Sequence, residues 1–178
     1  MIPDEEFIKE VPLTKEEIRA ISLYKLNLSK DDVVVDIGSG AGGMSVEIAK
    51  RVKKLYAIDC DKKAIENLKK NLTKFNIKNC EVIEGRAEEI LNNIEFNKAF
   101  IGGTKNIEEI VKILAKKRVK HVVANTIVLE NTVKMIKLFE SYNYKIDVVL
   151  ANIAKGKKVR SGYMFLSRNP IYIITALL

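Results

Sequence analysis

Apolar and polar positions change their spacing repeatedly along this chain, and the changes mark its elements. Val33, Val34, Val35 and Ile37 form an almost continuous apolar run between polar residues and glycine, the pattern of a strand covered on both faces; it predicts a strand over 32–37. Ala64, Ile65, Leu68 and Leu72 recur at helical spacing, which predicts a helix over 62–75 with those residues inward. The same reading gives strands at 54–59, 81–84, 98–101 and 119–125, and helices at 42–52, 86–93, 106–116 and 129–141. Ahead of them, Thr14-Lys15-Glu16-Glu17 reads as a capping box with Thr14 as N-cap. It opens a helix to about Leu26 in which Ile18, Ile21 and Tyr24 or Lys25 repeat at helical spacing. Beyond 141 the alternation changes. Residues 144–153 read as a strand, 155–162 as a basic loop punctuated by glycine, and 163–166 and 171–176 as further strand interrupted at 167–170. Five β/α repeats followed by an antiparallel excursion predict an α/β fold. We expect a Rossmann-like, mostly parallel seven-stranded sheet with helices on both faces and a C-terminal antiparallel hairpin.

The first strand ends at Asp36 and runs into Gly38-Ser39-Gly40-Ala41-Gly42-Gly43; the second ends at Asp59. Strand, glycine turn, helix, strand, acid is the order of a nucleotide-binding βαβ unit. Glycine tolerates the positive φ angles such a turn needs, and an acid ending the second strand can accept both hydroxyls of a ribose. A dinucleotide fingerprint has its third glycine three residues after the second, whereas here Gly38, Gly40 and Gly42 alternate. Asp36 would repel a pyrophosphate and suits a ligand with an ammonium group, such as the methionine part of S-adenosylmethionine. The turn resembles motif I of class I methyltransferases. The competing readings are a tight turn with no ligand and a dinucleotide site.

Length, charge and cysteine content bound the function further. The 178 residues, 47% hydrophobic, suit one domain over 1–178. No run reaches the ~20 apolar residues of a membrane span, and the acidic opening Met1-Ile2-Pro3-Asp4 lacks an apolar signal core; the expectation is a cytoplasmic protein with no membrane partner. Cys60 and Cys80 lack ligand spacing, and with one histidine, His121, inside a strand, a metal site is not expected. The net charge of +8 favours an anionic partner, nucleic acid or a polycarboxylate, although a lysine-rich composition accounts for the scattered lysines.

Candidate chemistry gathers at the predicted carboxyl ends of the strands. Gly38, Ser39, Gly40, Ala41 and Gly42 would wrap the methionine part, and Asp59 the ribose. The turn Glu84-Gly85-Arg86-Ala87 stands where this fold reads adenine. Arginine cannot accept a hydrogen bond, so the adenine contact falls to the Ala87 backbone, with Arg86 stacking or turned away. Gly102-Gly103-Thr104 leaves room for a bulky substrate, or is an ordinary turn; Asn125 lies on the same rim. Lys155, Lys157, Lys158, Arg160 and Arg168 are candidates for a carboxylate-bearing ligand, or decorate a solvated hairpin tip.

Further segments carry a more specific resemblance: Ile2-Pro3-Asp4-Glu5-Glu6-Phe7, Pro12-Leu13-Thr14-Lys15-Glu16-Glu17-Ile18-Arg19-Ala20, Asn125-Thr126-Ile127-Val128-Leu129-Glu130-Asn131, Ala154-Lys155-Gly156 and Asn169-Pro170. With motif I they resemble, over almost the full length, the family of decarboxylating C15-methyltransferases of cobalt-precorrin-6B in cobalamin biosynthesis, in its stand-alone form. The resemblance implies S-adenosylmethionine as cofactor, a corrinoid polycarboxylate as substrate and a homotetramer. It also implies that Thr14, Gly38 to Gly42, Asp59 and the Ala87 region contact the cofactor. Arg86 departs from the acid expected at its position, and no residue is assigned to the decarboxylation. The alternative enzyme is an S-adenosylmethionine-dependent RNA methyltransferase. Against it stand the missing tryptophan, Pro-Pro-aromatic run and appended RNA-binding domain.

Overall fold

In the computed structural model, which describes residues 1–178, the parallel strands are β1 (Val33–Ile37), β2 (Lys54–Asp59), β3 (Cys80–Glu84), β4 (Lys98–Ile101) and β5 (His121–Thr126). Two more, β6 (Lys145–Ala151) and β9 (Ile171–Leu177), complete a seven-stranded sheet in the order β3-β2-β1-β4-β5-β9-β6, with β9 antiparallel to both neighbours. Between β6 and β9 the chain leaves the sheet as a separate two-stranded hairpin, β7 (Ala154–Val159) and β8 (Gly162–Ser167). The seven-stranded sheet and the antiparallel C-terminal region are as the sequence predicted. The basic segment is not a loop, however. Lys155, Lys157 and Lys158 pair in register with Leu166, Met164 and Tyr163, because once Gly162 turns the chain the two segments satisfy each other's backbone groups.

Apolar alternation divides the core between two faces. Val35, Ile37, Ile101, Val122 and Ile174 join a cluster with α5 (Ile107–Lys116) and α6 (Leu129–Ser141). Val34, Phe100, Val123 and Ile173 face the other way, toward α1 (Glu16–Leu26) and α2 (Gly43–Ala49). A third cluster seats α3 (Lys62–Lys74) through Leu68 and Leu72, beside Ile2, Phe7 and Leu13 of the N-terminal segment. The short α4 (Ala87–Ile90) follows β3. No helix is long and apolar enough to cross a membrane.

Two details of α1 differ from expectation. Its N-cap is Lys15 and no side chain caps it. The residues of the expected capping box are taken by distant partners: Glu16 accepts from the Asp4 amide at 2.9 Å, and Glu17 holds Arg168 at 2.9 Å. Its inner face is Ile18, Arg19, Ser22, Leu23 and Leu26, while Tyr24 is 81% exposed. Arg19 is fully buried because the N-terminal segment folds over it: its guanidinium donates to Asp4 Oδ1 at 2.6 Å and to the carbonyls of Thr14 and Ile2 at 2.5 Å each.

Candidate active site

The N-terminal segment is a strap tied down by α3. Asn67 and Asn71 accept from the amides of Glu10 and Ile8, at 2.8 and 2.9 Å, and both donate to the Ile8 carbonyl. Asn71 also donates to Ala41 O at 2.8 Å, so one asparagine ties the strap to the glycine turn. Val11 to Lys15 thereby form a wall over the carboxyl ends of the strands.

Beneath that wall the turn has the conformation its glycines predict. Gly38, Gly40 and Gly42 have φ of +76°, +53° and +86°, a region other residues enter only with strain. A Cβ on Gly38 would sit 2.6 Å from Gly103 N, so the turns after β1 and β4 interlock without room for a side chain. The amides of Gly102 and Gly103 both donate to Ile37 O, at 2.8 and 3.2 Å.

Two cavities open on either side of this junction, of about 770 and 830 Å³. They share Gly38, Asp59, Asp61 and Gly102. Thr14, Asp36, Ser39, Gly40, Ala41, Asn125 and Arg168 line the first; Arg86, Ala87, Gly103 and Thr104 line the second. Gly42 lines neither; it caps α2, and a Cβ there would collide with Leu68. Lys155, Lys157, Lys158 and Arg160 also line neither. Lys155 is bound to Glu16 at 2.6 Å, and that hydrogen bond raises its pKa and lowers that of Glu16.

Asp59 braces the junction. One carboxylate oxygen accepts from Gly40 N at 2.9 Å, the other from Asp61 N at 2.9 Å, leaving each oxygen further acceptor capacity. Asp36 is wholly buried. Its Oδ2 accepts from Ser45 at 2.5 Å while its Oδ1 has no partner, and the buried Ser39 hydroxyl has none either. Burial pushes the Asp36 carboxyl up to about 7, with the Asp59 charge adding and the Ser45 hydrogen bond opposing. Arg86, at the edge of the second cavity, is paired with Glu88 at 2.8 Å. Asn125 exchanges hydrogen bonds of 2.8 and 3.1 Å with Ser22 of α1. His121 is structural: its Nε2 lies 2.6 Å from Lys25 O, and burial lowers its pKa.

The sequence reading missed Ser22, Lys15, Asp61 and the strap residues Val11 to Leu13. Asp61 was legible: it precedes a helical run and its side chain accepts from Lys63 N at 2.8 Å as an N-cap. Ser22 and the strap carry no local signal, because their place depends on pairings 103 and 57 residues apart.

The reversal of strand order between β1 and β4, with a glycine turn at that switch point and an acid ending β2, is common to nucleotide-binding α/β sheets; the antiparallel β9 set between β5 and β6 makes this one a class I methyltransferase fold. Within that class, residues 5–175 match the precorrin methyltransferase domain family, and the chain belongs to it. A probable cobalt-precorrin-6B C(15)-methyltransferase (decarboxylating) of Methanocaldococcus jannaschii is 65% identical, over 99% of this chain and 97% of that one. The crystal structure of a precorrin 8W decarboxylase of Methanobacterium thermoautotrophicum superposes with a TM-score of 0.96 at 32% identity, over all of both chains. That of a precorrin-6Y C5,15-methyltransferase of Geobacter metallireducens has a TM-score of 0.93 at 33% identity, over 100% of this chain and 98% of the other.

Proposed function

We propose that this protein methylates C15 of cobalt-precorrin-6B with S-adenosylmethionine and removes the C12 acetate carboxyl as CO₂, giving cobalt-precorrin-7. The observation that carries the reading is the interlocked Gly38–Gly103 junction between two cavities, with unpartnered Asp36 and Ser39 atoms buried beside the first. Those atoms suit a cationic amino-acid moiety, which would satisfy a carboxylate that burial otherwise disfavours. Thr14, Asp36 and Gly38 to Ala41 would hold that moiety, and Gly42 would support the turn. Asp59 would take the ribose, and Ala87, at the edge of the second cavity, the adenine. Arg86, engaged with Glu88, would cover that edge from outside.

The cofactor supplies an electrophilic methyl group. The chain's part is to orient the substrate carbon in line with it, reacting atoms ~3–3.5 Å apart, and to exclude water. Gly102, Gly103 and Thr104, at the mouth of the cavities, would border a flat macrocycle, and Asn125, fixed by Ser22, would offer it an amide. Arg168 would meet a substrate carboxylate at the cavity, while Lys155, Lys157, Lys158 and Arg160 would attract the polyanion from the hairpin. Tyr163 and Phe165, 70% and 69% exposed on β8, support the homotetramer that the resemblance implies. A cytoplasmic location goes with this biosynthetic role.

Mass spectrometry of precorrin-6B, with and without cobalt, after incubation with methyl-labelled S-adenosylmethionine tests the reading. One labelled methyl gained and one CO₂ lost is expected. Unchanged substrate, with cofactor binding demonstrated, overturns it, and salt-sensitive RNA binding would then point to RNA.

A further inference from the structure

The first cavity has two chemically unlike sides. Asp36, Asp59, Asp61 and the glycine turn form one. The other is apolar: Ile18, Met44, Phe100, Ile153 and Ile171 line the cavity and belong to the cluster under α1. Ile18, Met44 and Phe100 are buried, whereas Ile153 and Ile171 are half-buried and present the cluster's open end. The cations nearest that end are already engaged. Arg168 Nη1 lies 2.9 Å from Glu17, and Lys155 is held by Glu16 at 2.6 Å. The Arg168 amide is used as well, donating to Ile153 O at 2.9 Å.

We propose that this wall, at Ile153 and Ile171, is where the departing carboxylate sits. The inference rests on the proposed reaction and deepens it by naming the residues that select which carboxylate is lost. A carboxylate held there is denied water and donors, at a cost that grows with its localised charge. In the transition state that charge passes into the conjugated macrocycle, so an apolar wall raises the ground state more than the transition state. The bond from the acetate methylene to its carboxylate breaks heterolytically and CO₂ leaves. The electron pair enters the ring system, and after CO₂ has left, the exocyclic carbon takes a proton from solvent water to become a methyl group. No side-chain base is required. The remaining carboxylates stay on the polar rim near Lys15 and Asn169, where pairing stabilises them and keeps them from reacting.

Ile153→Lys, Ile153→Gln and Ile171→Lys test this, with Ile153→Val as the conservative control. Cofactor affinity, measured by calorimetry, reports whether each variant is folded, and glutamine at half-buried Ile153 is the mildest of the polar changes. With methyl-labelled S-adenosylmethionine, the polar and charged variants are expected to release a product that carries the label and retains its CO₂. The ratio of carboxylated to decarboxylated product should rise at least about tenfold over wild type, while Ile153→Val keeps the wild-type ratio. Wild-type product ratios in variants that bind cofactor normally overturn the proposal. So does a parallel fall of methylation and CO₂ release, which would make the wall a general substrate contact. If wild-type protein performs neither step, the reaction assignment itself has failed, a result distinct from either.

Discussion

On the proposed reading, Asp36 should make cofactor affinity depend on pH. Its carboxyl is buried with one oxygen unpartnered, and desolvation, aided by the Asp59 charge, lifts its pKa from 3.8 to about 7. An ammonium brought beside it favours the ionised form, so binding drives off a proton. With the bound form fully ionised, the apparent Kd scales as one plus the ratio of protonated to ionised Asp36. That factor is about 2 at pH 7 and about 30 near pH 5.5, a weakening of about fifteenfold or ~1.6 kcal/mol. The ligand's own α-amino group titrates near 8, so the comparison belongs below pH 7 and against Asp36→Asn. Calorimetry in buffers of different ionisation enthalpy should find net proton release on binding by wild type and none by the variant. An affinity that is flat from about pH 7 to about 5.5, with no proton release, refutes the reasoning. Stability must follow the opposite sign. A carboxyl raised on folding contributes stability that is complete below pH 3.8 and is lost as pH rises through about 7. The gap between the two values corresponds to at most about 4 kcal/mol. Asp36→Asn should therefore raise the Tm of ligand-free protein at pH 8 while weakening cofactor binding to a level calorimetry still reads.

Three other perturbations follow from particular contacts. Gly38→Ala forces a side chain into φ +76° and against Gly103 N; it should cost over ~2 kcal/mol in denaturant unfolding and abolish cofactor binding, whereas Gly156→Ala, whose Cβ meets nothing closer than 3.7 Å, should do neither. Asp4→Ala leaves the fully buried Arg19 without its carboxylate and should cost ~3 kcal/mol, the low end for a broken buried pair because two carbonyls remain; a loss below ~1 kcal/mol would show that those carbonyls suffice. Tyr163→Asp with Phe165→Asp should lower the molar mass measured by light scattering without lowering cofactor affinity, and an unchanged mass would remove β8 as an assembly surface.

The placement of the glycine turn, Asp36 and Asp59 was readable because it is set within one βαβ unit, where sequence neighbours are spatial neighbours. The sheet was readable because Val34 and Val35, or Ile173 and Ile174, alternate between two covered faces. Thr14 was misread as a cap for the opposite reason. Capping is a local rule, and Glu16 and Glu17 are claimed by Asp4, Lys155 and Arg168 from elsewhere in the chain. The inner face of α1 was not legible from spacing because it has no simple apolar stripe: two of its five buried residues, Arg19 and Ser22, are polar and satisfied only by the strap and by Asn125. The basic residues of β7 were legible as a charge cluster but not as a strand, since that required its pairing with β8.

This contrast follows from the order of the strands. Reversal between β1 and β4 brings two βα turns together, and each turn is encoded within a few residues of its own strand. The half of the site formed by these turns is therefore built from short-range instructions, and many chains of this fold can share it. The apolar wall is built otherwise. Ile18 arrives on α1, Phe100 on β4, and Ile153 and Ile171 flank the excursion of the chain through β7 and β8. Placing them requires the strap to fix α1, and the hairpin to return so that the Arg168 amide reaches Ile153 O. Chemistry particular to this family should then depend on the two ends of the chain, which are the segments that resemble that family most specifically. A change to the hairpin's return at Arg168 should alter product ratio before it alters cofactor affinity, while a change to the Gly38 turn should do the reverse.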